Sequence, residues 1–167
     1  MLIRTEAPAD ILPIDRLLKD VFDTEAEAKL VMKLRENSCR TLSLVACSDE
    51  GEVIGHLFFS PVTVEGEDDR WQGLAPLAVK SEYQRQGIGK ALMEEAKNIL
   101  IEFDYPVIVV LGHSDYYPQV GFEKAADHGL RCSWPVPEEA FMVLELIPDT
   151  LAGKAGIVEY CPEFSEL

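Results

Sequence analysis

Apolar residues recur at helical spacing in the first part of the chain. From Ala9 to Phe22 they repeat every three or four residues, which predicts an amphipathic helix after a short apolar start at Leu2-Ile3-Arg4. A second apolar stripe runs from Glu25 to Glu36, where Glu and Lys side chains occupy the opposite, solvated face. Two helices are therefore expected near the N-terminus.

The spacing of apolar residues then becomes that of β-strands. Thr41–Cys47 and Val53–Val64 are rich in β-favouring side chains and flank a turn that contains glycine, which predicts a β-hairpin. The charged run Glu65–Asp69 predicts an exposed turn before a further strand, Gly73–Val79. Because Pro76 cannot donate a ladder hydrogen bond, a bulge or frayed pairing is expected in this strand.

Helix and strand alternate in the rest of the chain. A helix is predicted from Gly87 to Phe103 and a buried strand from Val107 to Leu111. Phe122 is expected to begin another strand, and Phe141–Ile147 is the last strand that the pattern predicts. A chain of 167 residues, 47% of them hydrophobic, can bury one sizeable core, so a single domain spanning residues 1–167 is expected.

The chain is strongly acidic, with a formal net charge of −15. This charge repels phosphate backbones and attracts a cationic amine, so nucleic acid is not an expected partner. Apolar runs such as Val107–Leu111 are too short to cross a bilayer, and the N-terminus lacks the regions of a secretory signal. A soluble, cytoplasmic protein without a membrane partner is therefore expected.

The cysteine pattern favours neither a metal centre nor a disulfide framework. Cys39, Cys47, Cys132 and Cys161 are widely spaced, form no Cys-x-x-Cys pair and have no histidine at metal-ligand spacing. Reduced thiols that pack in the fold, with no bound metal, are the expectation. None of these cysteines lies in a motif that implies an activated nucleophile.

The segment Gln84–Gly89, between a predicted strand and a predicted helix, contains two glycines beside cationic residues. The first amides of a helix point outward at the positive end of its dipole, so a phosphate there accepts several hydrogen bonds. Gly87 and Gly89 would leave this approach open, and Arg85 and Lys90 would add positive charge. The alternative is an ordinary loop whose glycines only end a strand and begin a helix.

Two common phosphate-binding motifs do not fit this segment. A nucleotide P-loop would need a serine or threonine after Gly89-Lys90, where Ala91 stands instead. A Rossmann fingerprint would need a third glycine three positions beyond Gly89, where Leu92 stands. Both interpretations are therefore weakened.

The segment Gln84–Gly89 resembles, at every fixed position, the Gln/Arg-x-x-Gly-x-Gly/Ala signature of the GNAT superfamily of N-acyltransferases. Leu77–Val79 before it and Tyr116–Phe122 after it also resemble family segments, in the same order. The resemblance extends from the N-terminal helices to the last strand and is closest to a bacterial branch described as predicted N-acetyltransferases. It implies an α/β fold with a mixed, twisted sheet, helices on both faces, and strands splayed at the acyl-CoA site.

The resemblance also implies a reaction and its residues. The enzyme would transfer an acetyl group from acetyl-CoA, without a metal, to the primary amine of a small molecule by direct attack. Main-chain groups near Leu77 and Val79 would bond the pantetheine arm and stabilise the oxyanion, while Tyr117 would protonate the leaving thiolate. Aromatic packing is the alternative role for Tyr117 and the favoured one for Tyr116. The expected coenzyme-binding residues are Leu77, Ala78, Val79, Gln84, Arg85, Gln86, Gly87, Ile88, Gly89, Lys90 and His113.

The motifs do not assign the general base or the acceptor pocket. His56 is favoured as a buried structural histidine over a base, and His113, at a strand end, is a candidate for base, loop or coenzyme contact. The acidic run Glu65–Asp69 is either a solvated turn or a guide for a cationic amine. Trp71 either lines the acceptor pocket or caps the core.

Two other functions stay open beside small-molecule acetylation. One is a regulatory module that senses acyl-CoA without turnover, and the other is a protein N-terminal or lysine acetyltransferase. The sequence does not fix the acceptor amine, the acyl chain length or the oligomeric state, for which a homodimer is one alternative. The Pro-rich segment Trp134–Pro137 is expected to shape either a pocket or a subunit contact.

Overall fold

The structure, a computed structural model, describes residues 1–166. Contacts between residues divide the chain into two compact units. The first unit comprises Met1–Phe59, Pro76–Ala96 and the C-terminal segment that begins at Pro162. The second unit comprises Ser60–Ala75 and Lys97–Cys161.

Residues 1–166 contain three α-helices and ten β-strands. The helices are α1 (Ile11–Val21), α2 (Ala26–Glu36) and α3 (Ile88–Glu102). The strands are β1 (Leu2–Thr5), β2 (Leu42–Cys47), β3 (Val53–Pro61), β4 (Thr63–Val64), β5 (Gln72–Val79), β6 (Val107–Leu111), β7 (Glu123–Lys124), β8 (Leu130–Cys132), β9 (Phe141–Glu145) and β10 (Gly156–Glu159). None of the helices in this part of the chain has the length and apolar composition needed to span a bilayer.

Strands β1, β2 and β3 pair antiparallel in the first unit, with β2 in the middle. Leu2 lies opposite Cys47 in the first ladder, and Leu42 lies opposite Phe59 in the second. All residues of β2 are buried, because successive side chains point to opposite faces and both faces are covered. The predicted hairpin of β2 and β3 is confirmed.

Helices pack on both faces of β3. A Cβ added to Gly55 would lie 3.1 Å from Leu92 Cδ1, so this face of the strand lies against α3. The next residue, His56, points to the opposite face. There its hydrogen-bond network reaches Arg35 of α2 through two intervening side chains. All three predicted helices are present, with bounds within a few residues of those expected.

The second unit contains a mixed sheet. The first half of β5 pairs parallel with β6, from Gln72 opposite Ile108 to Leu74 opposite Val110. Strand β6 also pairs antiparallel with β9, and β9 pairs antiparallel with β7. A separate sheet has the order β4-β10-β8, in which β10 is antiparallel to β4 and parallel to β8. The expected α/β class with a mixed sheet is confirmed.

One predicted strand is divided in the structure. The pattern predicts Val53–Val64 as one strand, whereas β3 ends at Pro61 and β4 pairs with β10. Pro61 has no N–H to donate, and the Val62 N–H donates to the Trp71 carbonyl at 3.1 Å. The chain therefore changes partners here, and the prediction of one continuous strand is wrong.

The C-terminal strands also differ from the prediction. Phe122 is buried, but β7 begins at Glu123 and has only two residues. The Phe122 N–H donates to the Tyr117 carbonyl of the preceding turn at 3.2 Å, so this residue closes the turn instead of beginning the strand. Strand β9 ends at Glu145 rather than at Ile147. The sequence pattern did not predict β8 or β10, since segments of three and four residues are too short to show alternation.

The pairing of β5 changes register along the strand. Before its start, the Val62 N–H donates to the Trp71 carbonyl. Just after its end, the Lys80 N–H donates to the Ile54 carbonyl at 2.8 Å. These antiparallel bonds are out of register by one residue, so an extra residue, a bulge, lies between them. Pro76 falls in this interval, in agreement with the disruption expected from its missing N–H.

Candidate active site

Helix α3 begins directly after a loop with left-handed backbone at Arg85 (φ 63°) and Gly87 (φ 84°). The Ala91 N–H donates to the Gly87 carbonyl at 3.0 Å and so makes the first bond of the helical ladder. The N–H groups of residues 88–90 come before this bond and have no intrahelical acceptor. A Cβ added to Gly87 would meet no atom within 4 Å, so the approach to these amides is open.

The electrostatics at the start of α3 favour an anion. The first turn of the helix contains no acidic residue, and the positive end of the helix dipole lies there. Arg85 on the loop and Lys90 in the first turn of α3 are both exposed. The acidic neighbour Glu82 lies 3.9 Å from the Lys80 ammonium, which also contacts Glu52 at 3.1 Å. Arg85 and Lys90 therefore add positive charge beside the helix start on an acidic chain.

Two glutamine side chains brace the loop. Gln84 Nε2 donates to the Val79 carbonyl at 2.9 Å, which ties the loop to the end of β5. Gln86 Nε2 donates to the Glu82 carbonyl at 3.2 Å, which ties it to the preceding 3-10 turn. Both side-chain amides therefore donate to main-chain carbonyls of the preceding segment.

The end of β5 presents main-chain groups at one edge. Because the Lys80 N–H points toward β3, alternation along the strand directs Ala78 the same way and Leu77 and Val79 the opposite way. The ladder between β5 and β6 ends at Leu74. Leu77 and Val79 are half-buried, whereas Ala78 is buried. The main-chain groups of Leu77 and Val79 can therefore pair with an extended ligand.

Tyr117 lies in the second unit at the start of a 3-10 turn, Tyr117–Val120. Its ring makes edge contacts with Tyr116, at a centroid distance of 5.0 Å, and with Phe122, at 5.5 Å. Burial, with a smaller contribution from Tyr116, raises the pKa of Tyr117 to about 12. The phenol therefore keeps its proton at neutral pH and can donate it.

Lys97 and Gly112 hold the turn that carries Tyr117. The Lys97 ammonium donates to the Val120 carbonyl at the end of the turn, where a cation suits the helix dipole. A Cβ on Gly112 would overlap Tyr117 Cε2 and lie 3.0 Å from Cδ2. These contacts of Lys97 and Gly112 were not predicted, because in the sequence Lys97 has the pattern of a solvated helix residue and Gly112 that of a strand end.

The two histidines considered as bases differ in their exposure to solvent. His56 is 0% exposed, and burial lowers its pKa to about 3. Its Nε2 lies 2.9 Å from Ser43 Oγ, which in turn donates to Glu6 at 2.6 Å. His56 is therefore a structural residue, as favoured by the sequence. His113 is exposed, and its carbonyl accepts from the N–H groups of Tyr116 and Tyr117.

The exposure of the acidic run Glu65–Asp69 and of Trp71 distinguishes between the alternatives considered for them. Glu65, Glu67 and Asp68 are exposed, and Asp69 lies 3.1 Å from the Lys154 ammonium. The solvated-turn interpretation is confirmed. Trp71 is only 1% exposed, so it belongs to the core rather than to an acceptor pocket.

The Pro-rich segment Trp134–Pro137 lines a cavity in the second unit, as one of its two expected roles requires. Trp134 stacks on Tyr160 at a centroid distance of 5.2 Å. Tyr160 follows β10, which the pattern did not predict, so its part in this cluster had no sequence signal. The four cysteines form no disulfide within residues 1–166, and Cys132 borders the cavity.

Comparison with known proteins decides the family. Residues 11–122 match the Acetyltransferase (GNAT) family. The chain belongs to this family. As a GNAT member it is an acyl-CoA-dependent N-acetyltransferase, which confirms the resemblance of its loop and the activity expected from it.

Two other GNAT proteins are similar to this chain over nearly its whole length. It is 51% identical over 165 residues to the uncharacterized N-acetyltransferase YhbS of Escherichia coli K12, with 99% of each chain covered. The crystal structure of E. coli YhbS in complex with CoA aligns with a TM-score of 0.96, over 98% of this chain and 91% of that one. A GNAT acetyltransferase from Brucella melitensis, solved with acetyl-CoA, is 32% identical with a TM-score of 0.82, over 98% and 97%. The roles of individual site residues stay predictions.

Proposed function

We propose that this enzyme binds acetyl-CoA at the start of α3 and along the end of β5, and acetylates the primary amine of a small molecule. The observation that carries the donor site is the set of N–H groups at residues 88–90, which precede the first intrahelical bond of α3 and follow the exposed, uncrowded Gly87. The relative YhbS, solved with CoA, supports this donor. The diphosphate would accept hydrogen bonds from these amides, with Arg85 and Lys90 adding positive charge.

The end of β5 would hold the pantetheine arm and the thioester. Main-chain groups of Leu77 and Val79 face the edge that is free of the β6 ladder, where an extended amide chain can add as a strand does. An N–H at this edge would also stabilise the negative oxygen of the tetrahedral intermediate. Gln84 supports the arrangement by fixing the Val79 carbonyl to the loop.

The reaction would proceed by direct transfer. The nitrogen lone pair of the neutral amine attacks the thioester carbonyl carbon, and the carbon–sulfur bond then breaks. Tyr117 donates its phenolic proton to the departing thiolate and recovers one from solvent, while the nitrogen loses its extra proton to water. A phenol with a pKa of about 12 is protonated at neutral pH, so Tyr117 has a proton to donate at the start of each turnover.

An amine screen tests this proposal. Purified protein is mixed with acetyl-CoA and primary amines of several sizes, a lysine peptide and a tertiary amine as the matched control, and thiol release is followed. The proposal predicts release that depends on a small primary amine, with an amide product of the expected mass. Tight coenzyme binding without release from any amine would support a sensor, and release with the peptide alone would support protein acylation.

The remaining expectations follow from the same proposal. We propose that both units belong to one domain, so that heating gives one unfolding transition with equal calorimetric and van't Hoff enthalpies. Two separated transitions would contradict a single domain. A cytoplasmic location stays a prediction, and a homodimer stays an alternative to a monomer.

A further inference from the structure

We propose that the cavity beside Trp134 is the acceptor subsite of this enzyme and takes a primary amine that carries one small apolar group. This inference rests on the proposed acetyltransferase function and adds the class of its acceptor. The cavity has a volume of about 220 Å³. All of its lining residues belong to the second unit, which also contains Tyr117.

The walls of the cavity are mostly apolar and preorganised. Leu130 is 1% exposed and Phe141 is 3% exposed, so these side chains belong to the core and present a rigid surface to the cavity. The segment Trp134–Pro137 forms another wall of the cavity and contains two prolines, whose rings fix the backbone φ. A preformed apolar wall binds a hydrocarbon group without a large ordering cost.

Tyr160 supports this wall. Its ring stacks on Trp134 at 5.2 Å with an interplanar angle of 25°. It also packs on β5, because a Cβ added to Gly73 would lie 2.7 Å from Tyr160 Cε2.

The ladder between β6 and β9 links the cavity to Tyr117. Phe141, which lines the cavity, lies opposite Leu111 in this ladder. The next residue after Leu111 is Gly112, whose N–H donates to the Ala140 carbonyl at 3.0 Å. A Cβ on Gly112 would overlap the Tyr117 ring, so the ring lies directly against the chain at this end of the ladder.

The net charge of the chain favours an amine. Glu138 and Arg131 line the cavity and are both exposed, so their opposite charges lie at its solvent side and offset each other. The net charge of −15 attracts an ammonium group toward the enzyme. The apolar body of the ligand then packs against the apolar lining of the cavity, where a highly polar body would lose its hydrogen bonds to water.

The volume limits the size of the apolar group. An apolar cavity of about 150 Å³ holds one benzene molecule. A cavity of about 220 Å³ therefore accepts a phenyl ring with a short linker or a branched aliphatic chain. Phenethylamine and isoamylamine represent this class, whereas ethanolamine lacks the apolar group and spermidine carries additional charges.

Steady-state kinetics with these four amines test the inference. Phenethylamine and isoamylamine are expected to give the highest kcat/KM. Ala126 lines the cavity, so Ala126→Phe places a ring inside it. This variant should raise the KM for phenethylamine about tenfold or more, since apolar pockets discriminate by that order, and leave the KM for acetyl-CoA unchanged. The matched control Asp127→Phe adds the same ring at the next, exposed position and should behave as the unmodified enzyme.

Tryptophan fluorescence supplies a readout that does not require turnover. The chain has two tryptophans, and Trp71 is 1% exposed, so a change on adding phenethylamine reports Trp134. The change should occur without coenzyme, persist in Asp127→Phe, and be absent in both Ala126→Phe and Trp134→Leu. If Ala126→Phe does not fold by circular dichroism, Val136→Phe fills the same cavity from a half-buried loop position.

Three results would overturn the acceptor assignment. One is an unchanged phenethylamine KM and fluorescence response in a folded cavity-filling variant. Another is a variant that alters the preference between acetyl-CoA and hexanoyl-CoA at constant amine KM, which would make the cavity an acyl-chain site. The third is a clear preference of the unmodified enzyme for spermidine or ethanolamine. Failure of the proposed donor site would be distinguishable from failure of the acceptor assignment. In that case CoA would not bind, but the fluorescence change on adding phenethylamine would persist.

Discussion

The ring of Tyr117 occupies the space that a side chain at Gly112 would need. A Cβ at Gly112 would overlap Tyr117 Cε2 and approach Cδ2 to 3.0 Å, and the backbone of Gly112 does not require a positive φ. Glycine is therefore needed here for space rather than for conformation. This contact lets the aromatic ring lie directly against the chain after β6, with Tyr116 and Phe122 at its edges.

Gly112→Ala should impair catalysis by moving Tyr117. The added methyl group pushes the ring away, and a shift of about 1 Å in a catalytic group can lower turnover about 10- to 100-fold. The KM for acetyl-CoA should change little, because the added methyl group removes none of the main-chain amides at the start of α3. Thiol-release kinetics measure both quantities. A variant with normal kcat and an intact circular dichroism spectrum would show that the contact has no catalytic role.

Tyr117→Phe should lower kcat and leave coenzyme affinity unchanged. Loss of a general acid costs about 10²-fold or more in rate, and the phenyl ring keeps the packing against Gly112. Tyr116→Phe is the matched control, since it removes a hydroxyl from the adjacent ring, and it should retain near-normal turnover. The pH dependence of kcat distinguishes the two variants. Equal turnover of unmodified enzyme and Tyr117→Phe across the pH range would remove Tyr117 from the mechanism.

Gly89→Ile should weaken coenzyme binding by covering the amides at the start of α3. Loss of a few charge-assisted hydrogen bonds to the diphosphate predicts a rise in the Kd for CoA of about 10²-fold. Glu95→Ile is the control, because it puts the same side chain on an exposed position further along α3. Calorimetric titration gives both affinities. Equal affinities for the two variants would argue against a diphosphate at this helix start.

Local patterns predicted most of the elements that position the donor loop. The apolar stripe of α3 and the run Val107–Leu111 are long and regular, so their bounds agree with the structure to within one residue. The segment Gln84–Gly89 follows β5 and leads into α3, as predicted, because the change from strand to helix is set by local residues. The lack of intrahelical acceptors for the first amides of α3 follows from the helix start itself, and their binding of a diphosphate stays a prediction.

The missed features depend on contacts between residues far apart in the chain. Strand β10 forms only by pairing with β4 and β8, and Tyr160 reaches Trp134 through that sheet. The close approach of Tyr117 to Gly112 depends on how the chain folds back after β6. Spacing along the sequence carries no signal for such contacts, so the cavity and the support of Tyr117 emerged only from the structure.

Protonation of His56 should contribute to acid unfolding. Burial, the largest effect, lowers its pKa from 6.5 to about 3, with Glu6 opposing the shift and Arg35 adding to it. The unfolded chain therefore binds a proton more readily, so the stability from a neutral His56 is complete above pH 6.5 and declines as the pH falls toward 3. The decline should reach roughly 1 to 3 kcal/mol by about pH 4.

Urea unfolding at several pH values measures this contribution. The free energy of unfolding of His56→Gln should change less between pH 6.5 and pH 4 than that of the unmodified protein. His113→Gln is the control, because His113 is exposed, and its profile should match the unmodified protein. Parallel profiles for His56→Gln and the unmodified protein would mean that the pKa of His56 is the same in the folded and the unfolded chain.

The proposed donor site places the diphosphate of CoA on the main-chain amides at the start of α3. Calorimetric titration of the unmodified protein with CoA and with pantetheine, which lacks the diphosphate, is the decisive experiment. One CoA should bind per chain, and the affinity for pantetheine should be lower by about 10²-fold or more. Equal affinities for the two ligands, or no association of folded protein with CoA, would exclude this site.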